Sequence, residues 1–412
     1  MYVHKNKTDL KMARPTLFYN AKIILKDTLT DGGVLVENGK IKAIIPTNQL
    51  SYLNKYEGYT LIDVNQQYLS PGFIDIHIHG GGGYDFMDGT EEAFIQIAKT
   101  HARFGTTSLV PTTLTTTTER LEETLRSYES AKQSFNDGAN LLGIHLEGPY
   151  FAMSQRGAQD PRYIRNPDPD EYKALIANYK SIVRWSAAPE LEGALAFGEY
   201  LVANDIIAAI AHTDAIYEDV EKAYQAGYRL MTHFYSAMSG VTRRHAFRYA
   251  GVVEAGYLID DFDVELIADG VHLPNPLLKL IYKIKGPEKM VLITDAMRAA
   301  GTNDTKSILG SYDDGIEVLV EDGVAKLKDR TAFAGSVATA DRLVRTMLAL
   351  GDIPLVEIIR MITLNPARVM KVEQEKGSID IGKDADIVVF DDNINIQCTM
   401  VKGKVVYERQ IE

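Results

Sequence analysis

Eight short apolar, β-rich runs follow one another between Pro71 and Val372: FIDIHIH, TTSLVPTT, LLGIHLEG, IVRWSAAP, IIAAIAHT, LMTHFYSAM, VELIADGV and MVLITDAM. Stretches whose apolar residues recur at helical spacing separate them, among them EEAFIQIAKTHARFG, ERLEETLRSYESAKQSF and YEDVEKAYQAG. Alternating strand and helix is the signature of a parallel sheet, and eight such units close naturally into a barrel. The reading is therefore α/β, with a (β/α)8 TIM barrel over residues 71–372. The flanks read differently. TLFYNAKIIL, GVLVENGKIKAII and TLIDV near one end, and GSIDIGKDADIVVFDD, INIQCTM and KGKVVYE near the other, are short strands punctuated by Gly, Asp and Asn. Residues 1–70 and 373–412 are expected to meet in one small β-sandwich domain that carries the barrel as an insertion.

The chain has 412 residues, 45% of them hydrophobic, enough for a large core and a companion domain. Lys and Arg number 44 against 56 Asp and Glu, a net charge of -12, which argues against nucleic acid as a partner. An anionic small molecule must then meet a local Arg or Lys. The single cysteine, Cys398, excludes an intrachain disulfide and reads as a small core residue of a protein in a reducing compartment. The opening MYVHKNKTDLKMARP lacks a secretory apolar stretch, and no apolar run is long enough to cross a bilayer. A cytoplasmic protein without a membrane partner is expected.

Six of the nine histidines, His77, His79, His145, His212, His233 and His272, fall within or just after the predicted strands; His4, His101 and His245 do not. The active site of this fold is built at the C-terminal strand ends, so the placement matters more than the number. In PGFIDIHIHG, Asp75, His77 and His79 share one face of a strand by its period of two. Two imidazoles and a carboxylate turned into a barrel need a compensating partner, and a divalent metal supplies one. Asp75 reads as a supporting residue rather than a ligand. GIHLEGPYF places Glu147 and His145 on one face, with Glu147 as the sharper candidate ligand and His145 as a barrel-filling neighbour or a contact. AHTDA and THFYSAM add His212 and His233, giving a Glu-His-His set with a position left for water. IADGVHLP contributes Asp269 and His272, and LITDAM contributes Asp295, placed to exchange a proton with a metal-activated water unless it merely caps a helix.

These motifs together resemble the metal-dependent amidohydrolases and, within them, the N-acetylglucosamine-6-phosphate deacetylases. The resemblance runs from PGFIDIHIHG through HLEGP, GAQDPRYI, AHTDA, THFYSAM, ADGVHLP and TDAMRAAG to LNPAR and GSIDIGKDADIVVF. It implies that Glu147, His212 and His233 hold a principal Zn2+ or Fe2+, that His77 and His79 permit a second metal, and that Asp295 is the acid-base residue. It further implies that Gln159, Ser236, Ala237, Arg244 and His272 face an amino-sugar phosphate, with Arg244 on the phosphate, and that the protein is a homodimer. Three positions depart from the family pattern: Ser236 stands for Asn, Gln159 for a His that polarises the acetyl carbonyl, and RRHAFRYAG replaces the usual REPG turn. Rival readings are a deacetylase of another N-acyl sugar such as N-acetylgalactosamine 6-phosphate, a cyclic amidase or deaminase, and a metal-binding sugar-phosphate sensor without catalysis.

Overall fold

The computed structural model describes residues 14–50 and 56–410, without the side chain of Arg244. All eight expected barrel strands are present: β1 (Phe73–Ile78), β2 (Thr106–Pro111), β3 (Ile144–Glu147), β4 (Ile182–Ala187), β5 (Ile207–Ile210), β6 (Leu230–Met231), β7 (Asp263–Leu266) and β8 (Met290–Leu292). They pair in parallel as two arcs, β1 with β2, and β3 through β8 in order. The arcs join where the Thr113 N–H donates to the His145 carbonyl at 3.0 Å. The ring closes where the Asp295 N–H donates to the His77 carbonyl at 2.9 Å. Both seams thus lie among the candidate site residues.

Helices fill the predicted intervals for local reasons. Glu91–Ala102 starts at Thr90, whose hydroxyl accepts the Ala93 N–H, and buries Ala93, Phe94, Ile97, Ala98 and His101 on one face. Thr118–Ser134 is capped by Thr117 and buries Leu121, Leu125, Tyr128 and Ala131. In β1 the alternation works as expected. Ile74 and Ile76 pack in a cluster with Ala367 and Met370, while Asp75 and His77 reach polar groups of β7 and of the segment after β8.

Strands β6 and β8 are shorter than the runs LMTHFYSAM and MVLITDAM suggest. The chain leaves the extended conformation early, with His233 (φ 31°), Tyr235 (φ 80°), Ala237 (φ 50°) and Asp295 (φ 48°) in the left-handed region. Residue types with strand propensity do not reveal such a turn, because the surrounding packing imposes it. Two further elements had no forecast: a hairpin of Thr242–Arg244 with Phe247–Tyr249, and an antiparallel sheet of Lys306–Leu309, Ile316–Glu321 and Val324–Leu327 after β8.

The two ends of the chain form one small β-sandwich domain. Its strands run in the order Lys404–Glu408, Ile396–Val401, Ile387–Phe390, Tyr68–Pro71, Thr16–Ile24, Leu29–Glu37 and Lys40–Pro46, with Thr60–Asp63 also against Thr16–Ile24. Its core takes Phe18, Ile23, Val34, Val36 and Leu69 from one end, and Ile379, Ile387, Val389, Cys398 and Met400 from the other. Burial pushes the Cys398 thiol up to about 12, so it packs as a small apolar residue and is not a thiolate at neutral pH.

Glu171, in the helix Pro169–Asn178, ties the chain that follows β3 to the barrel wall. It accepts from Thr118 Oγ1 and Tyr150 Oη, both at 2.8 Å, and from Arg165. Burial opposes ionisation, but these donors hold its carboxyl below the usual glutamate value. A depressed value means stabilisation present above the unfolded-state pKa, about 4.3, and lost as pH falls through the folded-state value. Glu171→Gln is therefore expected to lower the urea midpoint at pH 7 and to lose that effect at an acid pH below the folded-state value. An equal deficit at both pH values would contradict the role of the charge.

Candidate metal centre

Glu147 ends β3, His212 lies just past β5, and His233 just past β6. Their side chains converge. His233 Nε2 is 3.0 Å and His212 Nε2 3.3 Å from Glu147 Oε1, and the two nitrogens are 3.2 Å apart. Ligand atoms held tetrahedrally at about 2.0–2.1 Å from an ion lie about 3.3–3.4 Å from one another, so this triangle has the dimensions of one face of a zinc-type site. A second set shares the carboxylate. His77 Nε2 is 3.5 Å from Glu147 Oε1, and His79 Nε2 is 3.4 Å from Oε2. Asp295 Oδ1 stands 3.5 Å from His77 Nε2 and 3.1 Å from His79 Nε2. Asp295 follows β8 and starts no helix, which removes the helix-cap reading.

For His212, His79 and His77 the ring orientation is set by what Nδ1 touches, whereas the Nδ1 of His233 is buried without a hydrogen-bond partner. Nδ1 of His212 faces the Gln155 carbonyl at 2.7 Å, that of His79 the Thr112 carbonyl at 3.2 Å, and that of His77 the Glu265 carboxylate at 3.2 Å. Acceptors at Nδ1 keep the proton there and leave the Nε2 lone pair facing the centre.

The electrostatics call for a cation. Glu147, Asp295 and Glu265 are buried carboxylates, and Arg184 is the one strong base among them. Burial resists ionisation of Glu147, but His77, His212 and His233 hold its carboxyl well below the usual range. Asp295 is likewise held down, against burial, by His77 and His79. Burial lowers His77, while Asp295 and Glu147 overcome burial to lift His79 to about 9. The Nε2 of His77 is buried without a hydrogen-bond partner. An orphaned imidazole nitrogen beside two carboxylates is a donor set suited to a divalent ion, and the residues present therefore fit one.

The centre forms the floor of a cavity of about 440 Å3 whose wall includes Gln159, Ser236, Ala237, His272 and Asp295. The carbonyl oxygen of Gln159 accepts from Thr115 N–H (2.9 Å) and Oγ1 (2.8 Å), so its amide NH2 faces Glu147 Oε2 at 2.7 Å. His272 is held through Nδ1 by Asp269 Oδ2 at 2.8 Å, and its ring lies 4.6 Å from that of Phe333. Arg244 lies in the hairpin strand Thr242–Arg244, and its side chain falls outside the described residues. Asp75 joins β1 to the β8 side by accepting the Thr294 N–H, and burial pushes its carboxyl up to about 7. His145 bonds Thr112 Oγ1 and Ser186 Oγ and stays inside the barrel.

Four contributors escaped the sequence reading. Arg156 lines the cavity and is the one Lys or Arg among its described lining residues. It lies three positions before Gln159, in a loop whose conformation no motif specifies. Phe333 arrives from the unforecast segment after β8. Arg184 and Glu265 lie beneath the centre, and their signal was present: each stands in an apolar strand two positions before a polar inward residue, Ser186, or an inward apolar one, Ile267.

Residues 68–406 match the amidohydrolase family model. The N-acetylglucosamine-6-phosphate deacetylase of Vibrio furnissii is 33% identical over 376 residues, 90% of each chain. The N-acetylgalactosamine-6-phosphate deacetylase of Escherichia coli O157:H7 is also 33% identical, over 91% of this chain and 95% of that one. Among solved structures, the N-acetylglucosamine-6-phosphate deacetylase of Pasteurella multocida superposes with a TM-score of 0.88 at 28% identity, covering 96% of this chain and all of that one. A mutant of the Mycobacterium smegmatis enzyme, in complex with N-acetyl-D-glucosamine-6-phosphate, gives 0.86 at 28% identity over 96% and 100%. With a barrel whose strand ends gather carboxylates and imidazoles around a cation-sized gap, and with a family match spanning most of its length, the chain belongs to the amidohydrolase family.

Proposed function

We propose that the protein hydrolyses the acetamide of N-acetylglucosamine 6-phosphate, giving glucosamine 6-phosphate and acetate. The observation that carries this reading is the 3.0–3.3 Å triangle of Glu147, His212 and His233 with Asp295 beside it, open to one cavity. Glu147, His212 and His233 would hold Zn2+ or Fe2+, which supplies polarisation of the acetyl carbonyl and a water acidic enough to ionise near neutrality. Asp295 takes the proton of the attacking water and returns it to the departing sugar nitrogen. Gln159 offers an amide N–H at the oxyanion side, where a hydrogen bond is worth more in the transition state than in the substrate. His272, fixed by Asp269, orients a sugar hydroxyl, and Ser236 and Ala237 supply the facing wall.

The phosphate is assigned to Arg156 together with Arg244, since guanidinium pairs with phosphate in a planar, two-point contact. Arg156→Met is expected to raise KM for the phosphorylated sugar about 10- to 100-fold, the worth of a charge-assisted bond, with a smaller change in kcat. An unchanged KM removes Arg156 from the phosphate site. Acetate release from N-acetylglucosamine 6-phosphate, set against N-acetylglucosamine and N-acetylgalactosamine 6-phosphate, tests the function itself. Preference for the unphosphorylated sugar, or release of ammonia in place of acetate, overturns it. The galactosamine epimer stays a second reading because its deacetylase is as similar, at 33%, as that of the glucosamine epimer.

We read the protein as a cytoplasmic homodimer. No helix of the described residues is long and apolar enough to cross a membrane, and the lone cysteine is buried. The hairpin carrying Arg244 presents Phe247 beside its turn at 72% exposure, and Val241 at its foot is 57% exposed, apolar surface suited to a second copy.

A further inference from the structure

The polar layer beneath the centre is costly and has no part in the chemistry above. Arg184 on β4 and Glu265 on β7 are fully buried and paired through both guanidinium ends, Nη1 to Oε1 and Nη2 to Oε2, the latter at 2.9 Å. Barrel interiors at this depth are ordinarily filled by Val, Ile and Leu. A buried ion pair seldom stabilises more than an apolar pair of equal volume, so its presence asks for another reason. Its contacts supply one. Glu265 Oε2 also meets His77 Nδ1 at 3.2 Å and accepts the backbone N–H of His233 at 3.3 Å. Arg184 is itself fixed from three sides, by Glu265, by the Ile76 carbonyl at 3.0 Å and by Thr232 Oγ1 at 2.8 Å.

We propose that Glu265, clamped by Arg184, is a positioning residue that holds the His77 proton on Nδ1 and so presents the His77 Nε2 lone pair to a second divalent ion between His77, His79, Glu147 and Asp295. The orphaned state of His77 Nε2 is what this arrangement produces. A neutral ring donating at Nδ1 to a carboxylate has its other nitrogen free, and the carboxylates of Glu147 and Asp295 each stand 3.5 Å from it. The same Glu265 oxygen reaches the main chain of His233, a ligand of the first set, so one carboxylate braces both halves of the centre from below. In Glu265→Gln, the carboxamide cannot accept from every donor now on Glu265. Its NH2 meets Arg184 Nη1–H if it takes the place of Oε1, and meets Arg184 Nη2–H, the His233 N–H and the Nδ1 of His77 if it takes the place of Oε2. In the second case the ring is driven to the other tautomer, with a proton on Nε2 where the ion would bind.

The inference rests on the site being a metal centre and not on the identity of the sugar, and its test is read in metal binding. Mn2+ and Co2+ are titrated into the full-length protein after chelator treatment, with equivalents per chain and affinities recorded, and manganese–manganese coupling followed by electron paramagnetic resonance. The parent is expected to bind two ions with coupled spectra. Glu265→Gln should weaken the second ion by about 10- to 100-fold, the usual effect of removing a residue that orients a ligand, and leave the first in place. His77→Ala should give the same single-ion state, and Glu265→Asp an intermediate one. Because Glu265→Gln strands a buried guanidinium, the Arg184→Met/Glu265→Leu double variant, which replaces the pair with apolar groups, is measured beside it. Should neither variant fold, the zinc-loaded parent decides: 15N spectra of histidine must show His77 protonated at Nδ1 and coordinated through Nε2. A parent that binds one ion, a folded double variant that keeps both affinities, or a His77 protonated at Nε2 overturns the proposal. Two bound ions without acetate release would instead overturn the assigned function and leave this inference intact.

Discussion

Asp295→Asn is expected to lower kcat on N-acetylglucosamine 6-phosphate by about 10²- to 10⁴-fold, the range by which a positioned acid-base group accelerates proton transfer. The substitution keeps shape and an acceptor oxygen for His79, 3.1 Å away in the parent, but cannot take a proton from water or return one to nitrogen. KM should move little, and the ion held by Glu147, His212 and His233 should remain, as metal analysis of the same sample will show. That split separates a proton carrier from a ligand: loss of that ion in Asp295→Asn would make the residue structural to the centre. Full turnover at saturating substrate would refute its catalytic assignment. The residue holds a left-handed backbone at φ 48°, a conformation that costs a non-glycine residue about 1–3 kcal/mol and persists where its surroundings over-determine it. Here its own N–H and carbonyl are both engaged, by the His77 carbonyl at 2.9 Å and the Ser336 N–H at 2.7 Å.

Glu147→Ala should do more damage than any single histidine substitution. Its Oε1 faces His77, His212 and His233, and its Oε2 faces His79 and the Gln159 amide. It is the residue common to both candidate sets. Removing it takes away the carboxylate that the four imidazoles share and leaves Asp295 beside His77 and His79, so metal content should fall below one ion per chain and turnover by more than about 10³-fold. His79→Ala, which touches one set alone, should retain the ion of the other. A Glu147→Ala protein that still carries a full equivalent of tightly bound metal would show that the centre is organised differently.

Much of this was legible without coordinates because two periodicities carry it. Strand-to-helix alternation marks a parallel barrel, and the period of two in β1 puts Asp75 and His77 on the inside while Ile74 and Ile76 face outward. The strand-end positions of Glu147, His212, His233 and Asp295 follow from the same count. Other features were not legible, for identifiable reasons. Arg156 sits in a loop, where no repeat relates position to direction, and Arg244 was named by the family resemblance, not by any periodicity. Phe333 comes close to His272 through a sheet inserted after β8, whose strands carry no sign of where they fold back.

The sequence by itself determined the kind of molecule: the order of strands and helices, the union of the two ends in one β-sandwich domain, and the residue types that line the barrel mouth. These are local or periodic properties, written in hydrophobic pattern and turn residues. Only the tertiary structure decided that one carboxylate, Glu147, stands between two histidine pairs, that Gln159 donates to it, and that Arg184 and Glu265 meet beneath it from β4 and β7. The physical reason is separation along the chain. Glu265 lies 188 residues from His77 and 81 from Arg184, and such contacts depend on barrel closure and on left-handed turns at strand ends, which no short stretch of sequence encodes.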